Sequence, residues 1–544
     1  MEKSVRKKRV YLELLLKEEI VEGVTEYSIF SRKTRTALQD LLDMMHHAAK
    51  DPRVAGISLA LENLASGWGQ LSDLRRALAL FRQAGKPVYC YMQEGGNKEY
   101  YLASACDRIF MPPAAHLNLV GLSVEVFFFR DLLARLGVDA QLQSIGEYKS
   151  AAEIFTRASM SLPAKEQLES LLDDHYDELC RAIQNRGFAR DAIASLIDSG
   201  PYTAREALAK RLLDGVCYQE EVTDKLKAQL GEKTHSLPVH KYFAGEGFCR
   251  RLITFRRARI AIITVEGHIG SGESRRNQAG RAIAGAETIV RFLEHAGQSR
   301  RVRAVIVRID SPGGSGLASD LIWHKISLLA SKKPVVASFG DVAASGGYYI
   351  ASSASLILAE PTSITGSIGV LAGKFVAGAL MNRLAVHREA LQRGKHAEYE
   401  SSFSEFSREE SERLNAQMLE FYREDFLKKV AGGRKMEEEA VDRVGRGRVW
   451  SGKRAKEHNL VDAIGGLSEA IQQARKLAHL PDSKKIRVIR YYKHRKFWER
   501  FMPDIRSPIM AGGFPPSALD SLDLIKSLGE RGMLLLLPFQ IRIR

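Results

Sequence analysis

The sequence predicts an α/β fold in which one unit is built twice. Three observations predict it: strands and helices alternate through the first half, the same order returns in the second half, and the two runs match at a nearly constant offset. Ser104 falls opposite Ser352, an offset of 248 positions, and the same offset relates Pro113 to Pro361, Gly121 to Gly369, Gly146 to Gly394, Tyr202 to Trp450 and Asp214 to Asp462. So constant a spacing marks a tandem duplication. The length of 544 residues calls for several domains. A composition of 45% hydrophobic and 27% charged residues is that of a chain able to build a full core.

In the first copy, alternation of Val10, Leu12, Leu14 and Leu16 predicts an opening strand, and Thr34 to Lys50 carries helical spacing. The branched run Val54 to Leu61 predicts a buried strand. Gly67-Trp68-Gly69 reads as a turn, Leu71 to Ala84 as a helix, and Pro87 to Tyr91 as a further strand. The Gly95-Gly96 turn then leads into a helix through Tyr100 and Tyr101. In the second copy Ala258 to Val265 opens the series, Val302 to Ile309 matches Val54 to Leu61, and Leu317 to Leu329 matches the Leu71 helix. Lys333-Pro334-Val335 matches Lys86-Pro87-Val88 with a slip of one residue, and Tyr348 to Ser352 matches Tyr100 to Ser104. The expected division is residues 1–240 and 257–480 for the two copies, with a basic, aromatic and apolar extension over 481–544.

The chain carries 81 Lys and Arg against 65 Asp and Glu, a net charge of +16. That excess suits anionic partners or simply a well-solvated surface. Lys484 to Arg500 interleaves basic residues with Tyr491, Tyr492, Phe497 and Trp498, and Met533 to Phe539 is strongly apolar. Contact with an acidic membrane surface and a packed extension are both open readings. No nucleic-acid motif accompanies the charge, and none is expected as a partner. The five cysteines are scattered and never form a Cys-x-x-Cys pair, which argues against a disulfide framework or a zinc site and for a reducing compartment. No apolar run reaches the ~20 residues of a membrane span; the longest near the start is Leu14-Leu15-Leu16.

The stretch Gly340-Asp-Val-Ala-Ala-Ser345-Gly-Gly-Tyr-Tyr349 follows an apolar strand and precedes a small-residue helix. A serine there is either a helix cap or an exposed nucleophile whose oxyanion the free helix amides would hold. Differences between the copies bear on the choice. Ser345 falls opposite Asn97, and Asp310-Ser-Pro-Gly-Gly-Ser315 falls opposite Glu62-Asn-Leu-Ala-Ser-Gly67. Conversely Lys149, in Gly146-Glu-Tyr-Lys-Ser-Ala151, falls opposite Ala397. Each copy thus keeps what the other lacks, as expected if one site draws on both, preferably within the same chain. A lysine can serve as the serine's base if burial lowers its pKa from ~10.4. Lys374 is a rival base. No histidine lies between Ser345 and Val386; His324 falls on a helix, and His387 and His396 lie beyond.

Taken together, Asp310-Ser-Pro-Gly-Gly, the Gly340 to Tyr349 stretch, Thr365-Gly-Ser-Ile-Gly369 and Gly146-Glu-Tyr-Lys-Ser-Ala resemble the long, tandem form of bacterial signal peptide peptidase A (protease IV), over roughly residues 9–480. The resemblance implies a ClpP/crotonase fold and a serine endopeptidase with a Ser/Lys dyad, acting on hydrophobic peptides such as cleaved signal peptides. It implies Ser345 as nucleophile, Lys149 as base, Ser367 as the residue orienting the lysine, and the amides of Gly314 and Gly346 as oxyanion hole. It implies a homotetramer and neither cofactor nor metal. Long-form relatives begin with a transmembrane helix, which this sequence does not show. It is therefore expected either at a membrane surface or in the cytoplasm, unless it starts upstream of Met1. The competing classes are a crotonase-type acyl-CoA enzyme and an inactive scaffold at a membrane surface.

Overall fold

A computed structural model describes residues 9–18, 20–23, 26–27, 34–242, 258–277, 281–481, 486–492, 533–536 and 543. Of the junction expected near Leu230 to Arg257, residues 243–257 lie outside the described residues, as does most of the extension. The first copy contains a six-stranded parallel sheet in the order Gly215–Val216, Arg108–Met111, Val88–Met92, Val54–Leu64, Val10–Glu18, His235–Pro238. Its central strands are nearly continuous apolar runs because both faces of a parallel sheet are covered. The second copy repeats the order. Ala463–Ile464, Leu356–Ala359, Val335–Ala344, Val302–Ser311, Arg259–Glu266 and Arg487–Tyr491 lie side by side, with Ile364–Gly366 and Val449–Ser451 branching from Val335–Ala344. The α/β duplication expected from the sequence is the architecture found.

Helices repeat at the same offset. Leu38–Lys50 corresponds to Ala286–Gln298, Trp68–Gln83 to Gly316–Ala330, and Asn97–Ala103 to Gly346–Ala351. Even a buried hydrogen bond recurs: Tyr100 Oη donates to Leu212 O at 3.1 Å and Tyr348 Oη to Leu460 O at 2.8 Å. Among the described residues no helix is long and apolar enough to cross a membrane. Of the basic 484–500 stretch, Arg487–Tyr491 is the edge strand beside Arg259–Glu266; residues 484–485 and 493–500 lie outside the described residues.

The two copies share a core. Period-two alternation sends Ile260, Ile262, Ala304, Ile306 and Val336 of the second sheet into the apolar cluster of the first copy. Their neighbours Ala261, Ile263, Val305, Val307 and Val335 face the second copy's own cluster. Some boundaries differ from the sequence reading: the helix expected over Thr34 to Lys50 is Leu38–Lys50, the Gly95-Gly96 turn is a short strand, and the helix expected from Leu71 begins at Trp68, so Gly67-Trp68-Gly69 is its start rather than a separate turn. The glycines serve close packing between copies. A Cβ on Gly67 would lie 1.8 Å from the Asp341 carboxylate, and one on Gly69 would lie 2.9 Å from Gly340 O.

A buried ionic cluster crosses the same seam. Arg308 is 1% exposed at its side chain and donates to Glu22 at 2.8 and 2.9 Å, to Asp73 at 3.3 Å and to Phe339 O at 2.7 Å. Asp73 also accepts from the Leu467 amide, and Arg76 bonds Glu360. Burial and the nearby Glu360 push the Asp73 carboxyl upward, so the arginine is what allows two acids to sit there.

A second link is a strand pair. Asp139–Ile145 of the first copy runs antiparallel to Val370–Val376 of the second, from Val370 opposite Ile145 to Val376 opposite Asp139. Neither strand has a counterpart in the other copy: residues 387–393 and 122–128, at the matching offsets, form none.

Removing the arginine takes away the bidentate partner of buried Glu22 and one of the two arginines beside Asp73. Arg308→Met is expected to lower stability by about 3–5 kcal/mol, read as a fall in the urea midpoint. An unchanged midpoint would show that the cluster does not hold the copies together.

Candidate active site

Ser345 sits between the end of the Val335–Ala344 strand and the start of the Gly346–Ala351 helix. Its φ of 55° is one that a residue bearing a Cβ rarely adopts. Strain of this kind persists only where surrounding contacts enforce it. Here the Ser345 amide donates to Gly366 O at 2.8 Å and its carbonyl accepts from the Tyr349 amide at 2.8 Å. Glycine follows because nothing larger fits: a Cβ on Gly346 would lie 2.6 Å from Ser319 Oγ and 3.2 Å from the Gly314 nitrogen. That proximity sets the amide-bearing segments of Gly314 and Gly346 face to face beside the serine. Gly313 and Gly314 have φ values of 103° and 156°, and a Cβ on Gly314 would lie 2.0 Å from Ile269 O.

Lys149 comes from the other copy. It follows the Asp139–Ile145 strand through a turn at Gly146, whose φ is 107°. Loop 446–449 of the second copy clasps that turn: the Tyr148 amide donates to Arg446 O at 2.9 Å, and Arg448 stacks on the Tyr148 ring. Gln167, fully buried, donates to Tyr148 O at 3.1 Å and to Ser150 Oγ at 2.8 Å while accepting from the Val449 amide at 3.1 Å. The result is convergence. Lys149 Nζ lies 2.7 Å from Ser345 Oγ, 2.9 Å from Ser367 Oγ and 3.1 Å from Ser367 O. Ser367 has its own left-handed backbone, φ 53°, and its amide donates to Arg448 O.

Both serines are 0% exposed and Lys149 is 2% exposed. Burial, with no carboxylate among the described residues to offset it, drives the lysine pKa well below its usual 10.5. Burial thus favours the neutral amine, whose lone pair can accept a proton.

Not every basic candidate reaches the serine. Lys374 donates to Tyr399 O at 2.9 Å and lies 4.1 Å over the Phe406 ring, engaged away from Ser345. His324 and His387 are exposed, and His396 Nδ1 pairs with Glu410 at 3.0 Å. In the first copy Asn97 occupies the position of Ser345 and performs a tie: its Nδ2 donates to Gly121 O at 2.7 Å and its Oδ1 accepts from the Val120 amide at 3.3 Å. Leu119, in the place of Ser367, is fully buried. Sequence reasoning missed Gln167 and Gly447. The former looks like an ordinary helix residue, and the latter lies in Arg446-Gly-Arg448, opposite the unremarkable Ser199 at the common offset.

The family model for peptidase family S49 matches residues 80–233 and 327–481. The chain is 36% identical over 477 residues to the chloroplastic serine protease SPPA of Arabidopsis thaliana, covering 87% of this chain and 70% of that protein. It is 31% identical to Protease 4 of Haemophilus influenzae, covering 81% of this chain and 73% of the relative, and 29% identical to Protease 4 of Salmonella typhi, covering 82% and 73%. Among solved structures, ClpP1 from Listeria monocytogenes is similar over 39% of this chain and 94% of its own, at 18% identity and a TM-score of 0.24. An α/β unit in tandem, each copy carrying its own family match, defines a serine peptidase. The chain belongs to peptidase family S49.

Gly447 tests how tightly the lysine is held. Its φ is 81°, and a Cβ there would lie 2.4–2.6 Å from the backbone and Cβ of Lys149. Gly447→Ala is expected to slow labelling of Ser345 by a serine-directed phosphonate about 10²-fold, as displacement of a catalytic group by roughly 1 Å does, while the melting transition persists. Labelling at the wild-type rate would mean that the lysine tolerates the displacement.

Proposed function

We propose that the chain is an endopeptidase in which Ser345 attacks the peptide carbonyl and Lys149 is the general base. The observation that carries this reading is the 2.7 Å approach of a buried lysine amine to Ser345 Oγ with no carboxylate beside it. Neutral Lys149 takes the Ser345 proton as Oγ bonds to the carbonyl carbon. The amides of Gly314 and Gly346 hold the resulting oxyanion. Ser367, through its Oγ and its carbonyl, keeps the amine aimed at Ser345 in both protonation states. The ammonium then gives its proton to the departing amine, and water, deprotonated by the same lysine, releases the acyl group from Ser345.

The proposed substrates are hydrophobic peptides, cleaved signal peptides among them, in keeping with apolar surroundings that include Ala151, Ile154, Phe155 and Leu371. We also propose a homotetramer, supported by the exposed stripe Leu317, Leu321 and Leu328 on the Gly316–Ala330 helix, and association with a membrane surface through the 484–500 stretch. No feature of the site favours the acyl-CoA or scaffold readings over this one.

Ser345→Ala and Lys149→Ala are expected to lower turnover of a fluorogenic apolar peptide by ~10³-fold or more, with Lys374→Ala close to wild type. An active Lys149→Ala enzyme would sink the assignment of the base. Because neutral lysine is the active form, kcat/KM should rise with pH through one deprotonation centred well below 10.5 and then level off. A flat profile, or a rise centred near 10.5, would contradict a buried lysine base. Mixing Ser345→Ala with Lys149→Ala subunits should restore no activity, since both groups meet within one chain.

A further inference from the structure

The strand that delivers Ser345 does not run straight into it. Val302–Ser311 and Val335–Ala344 pair in register up to Ile309 opposite Phe339, and pair again at Ser311 opposite Ala343. Three residues, Gly340, Asp341 and Val342, therefore oppose the single residue Asp310. Bulges are rare in parallel ladders and over-represented beside active sites, where they re-aim a side chain. The first copy shows where the extra length went. Val335 to Ser345 is one residue longer than its counterpart, Val88 to Asn97, so the added residue falls in the copy that keeps the serine.

The bulge is held from three sides. The Val342 amide donates to Asp310 Oδ1 at 3.0 Å, and Gly340 O accepts from Ser363 Oγ at 2.6 Å. Asp341 Oδ1 accepts at 2.9 Å from the Gln70 amide, in the first turn of the first copy's Trp68–Gln83 helix. Glycine at 340 allows the close approach: a Cβ there would lie 3.0 Å from Asp310 Cβ and 3.2 Å from its Cγ. Asp310 itself heads the 311–314 turn that brings up the proposed oxyanion amide of Gly314, while Val342 stands three residues ahead of Ser345. One hydrogen bond from Asp310 thus joins the two segments that carry the nucleophile and the oxyanion hole. The matching acid of the first copy is engaged elsewhere. Glu62 lies opposite Lys17 in its ladder and pairs with it at 3.0 Å, whereas Asp310 lies opposite Glu266.

We propose that Asp310 is a positioning residue for the reaction: its carboxyl group pins the 340–342 bulge and so sets Ser345 Oγ and the Gly314 amide at the separation that attack on a carbonyl requires. The partner is a neutral amide, so what the site needs at Oδ1 is an acceptor oxygen rather than a charge. This rests on the reading of Ser345 as the nucleophile.

The test compares Asp310→Ala and Asp310→Asn in the full chain, with competent sites counted by stoichiometric phosphonate labelling so that turnover is expressed per labelled Ser345. Expected for Asp310→Ala is a fall in kcat of about 10²-fold with KM within about twofold, the loss that a misplacement of roughly 1 Å produces. Asp310→Asn keeps an oxygen for the Val342 amide and should return kcat to within about threefold of wild type. A purely structural role would lower the melting temperature of the alanine variant and leave kcat per labelled site unchanged, which would overturn the proposal. So would an asparagine variant as impaired in kcat as the alanine variant; both results leave Ser345 and Lys149 in their roles. If Asp310→Ala shows no melting transition, Gly340→Ala carries the test. Its methyl group presses on Asp310 Cβ and Cγ, and kcat should fall about tenfold with KM unchanged; wild-type kcat there would overturn the proposal. A wild type inert to both peptide and phosphonate would overturn the nucleophile reading, and the positioning role with it.

Discussion

The register between Asp139–Ile145 and Val370–Val376 is the constraint on which the site depends. Lys149 follows the end of one strand by four residues and Ser367 precedes the start of the other by three. The antiparallel ladder therefore fixes their separation before any side chain is considered. Sheet side chains alternate between faces, so a slip of one residue would turn each strand's inward set outward. It would also carry the lysine some 3.3 Å along the strand, farther than a hydrogen bond tolerates. Glycines at both turns make the close approach feasible. Gly146 would collide with Arg446 and Gly369 with Ile145 O if either carried a Cβ.

Burial then converts geometry into chemistry. An exposed lysine 2.7 Å from a serine would be an ammonium and a poor base. Removing it from water without supplying a carboxylate disfavours the charge and leaves a free lone pair. The same molecule does the opposite at Arg308, where buried charge is retained because Glu22 and Asp73 share it. Both arrangements lie between the copies. The ionic cluster and the Lys149–Ser345 contact each join side chains of the two copies.

Much of this was legible in the sequence because duplication supplies an internal comparison. The strands Val54–Leu64 and Val302–Ser311 announce themselves as apolar runs, and their common offset fixes the repeat. Ser345 against Asn97 and Lys149 against Ala397 stand out as complementary substitutions. What could not be read was whatever the copies do not share. The Asp139–Ile145 and Val370–Val376 strands pair with each other and have no counterpart at the matching offsets, so no repeat flags them. Gln167 acts through its two-sided amide, which links backbone groups of both copies, and a helix pattern does not show that. The leucines near 534 carry an apolar signal that suits a membrane as well as a packed strand, and only tertiary contact separates the two.

Asn97 gives the duplication a further meaning. A pair of identical units would carry two equivalent centres. Here the second centre is closed by an amide that ties Val120 and Gly121, with leucine where the orienting serine would be. The molecule has thereby broken its own symmetry. The first copy keeps no serine at this position, yet it contributes Lys149 to the cluster around Ser345, so neither half is dispensable to that contact.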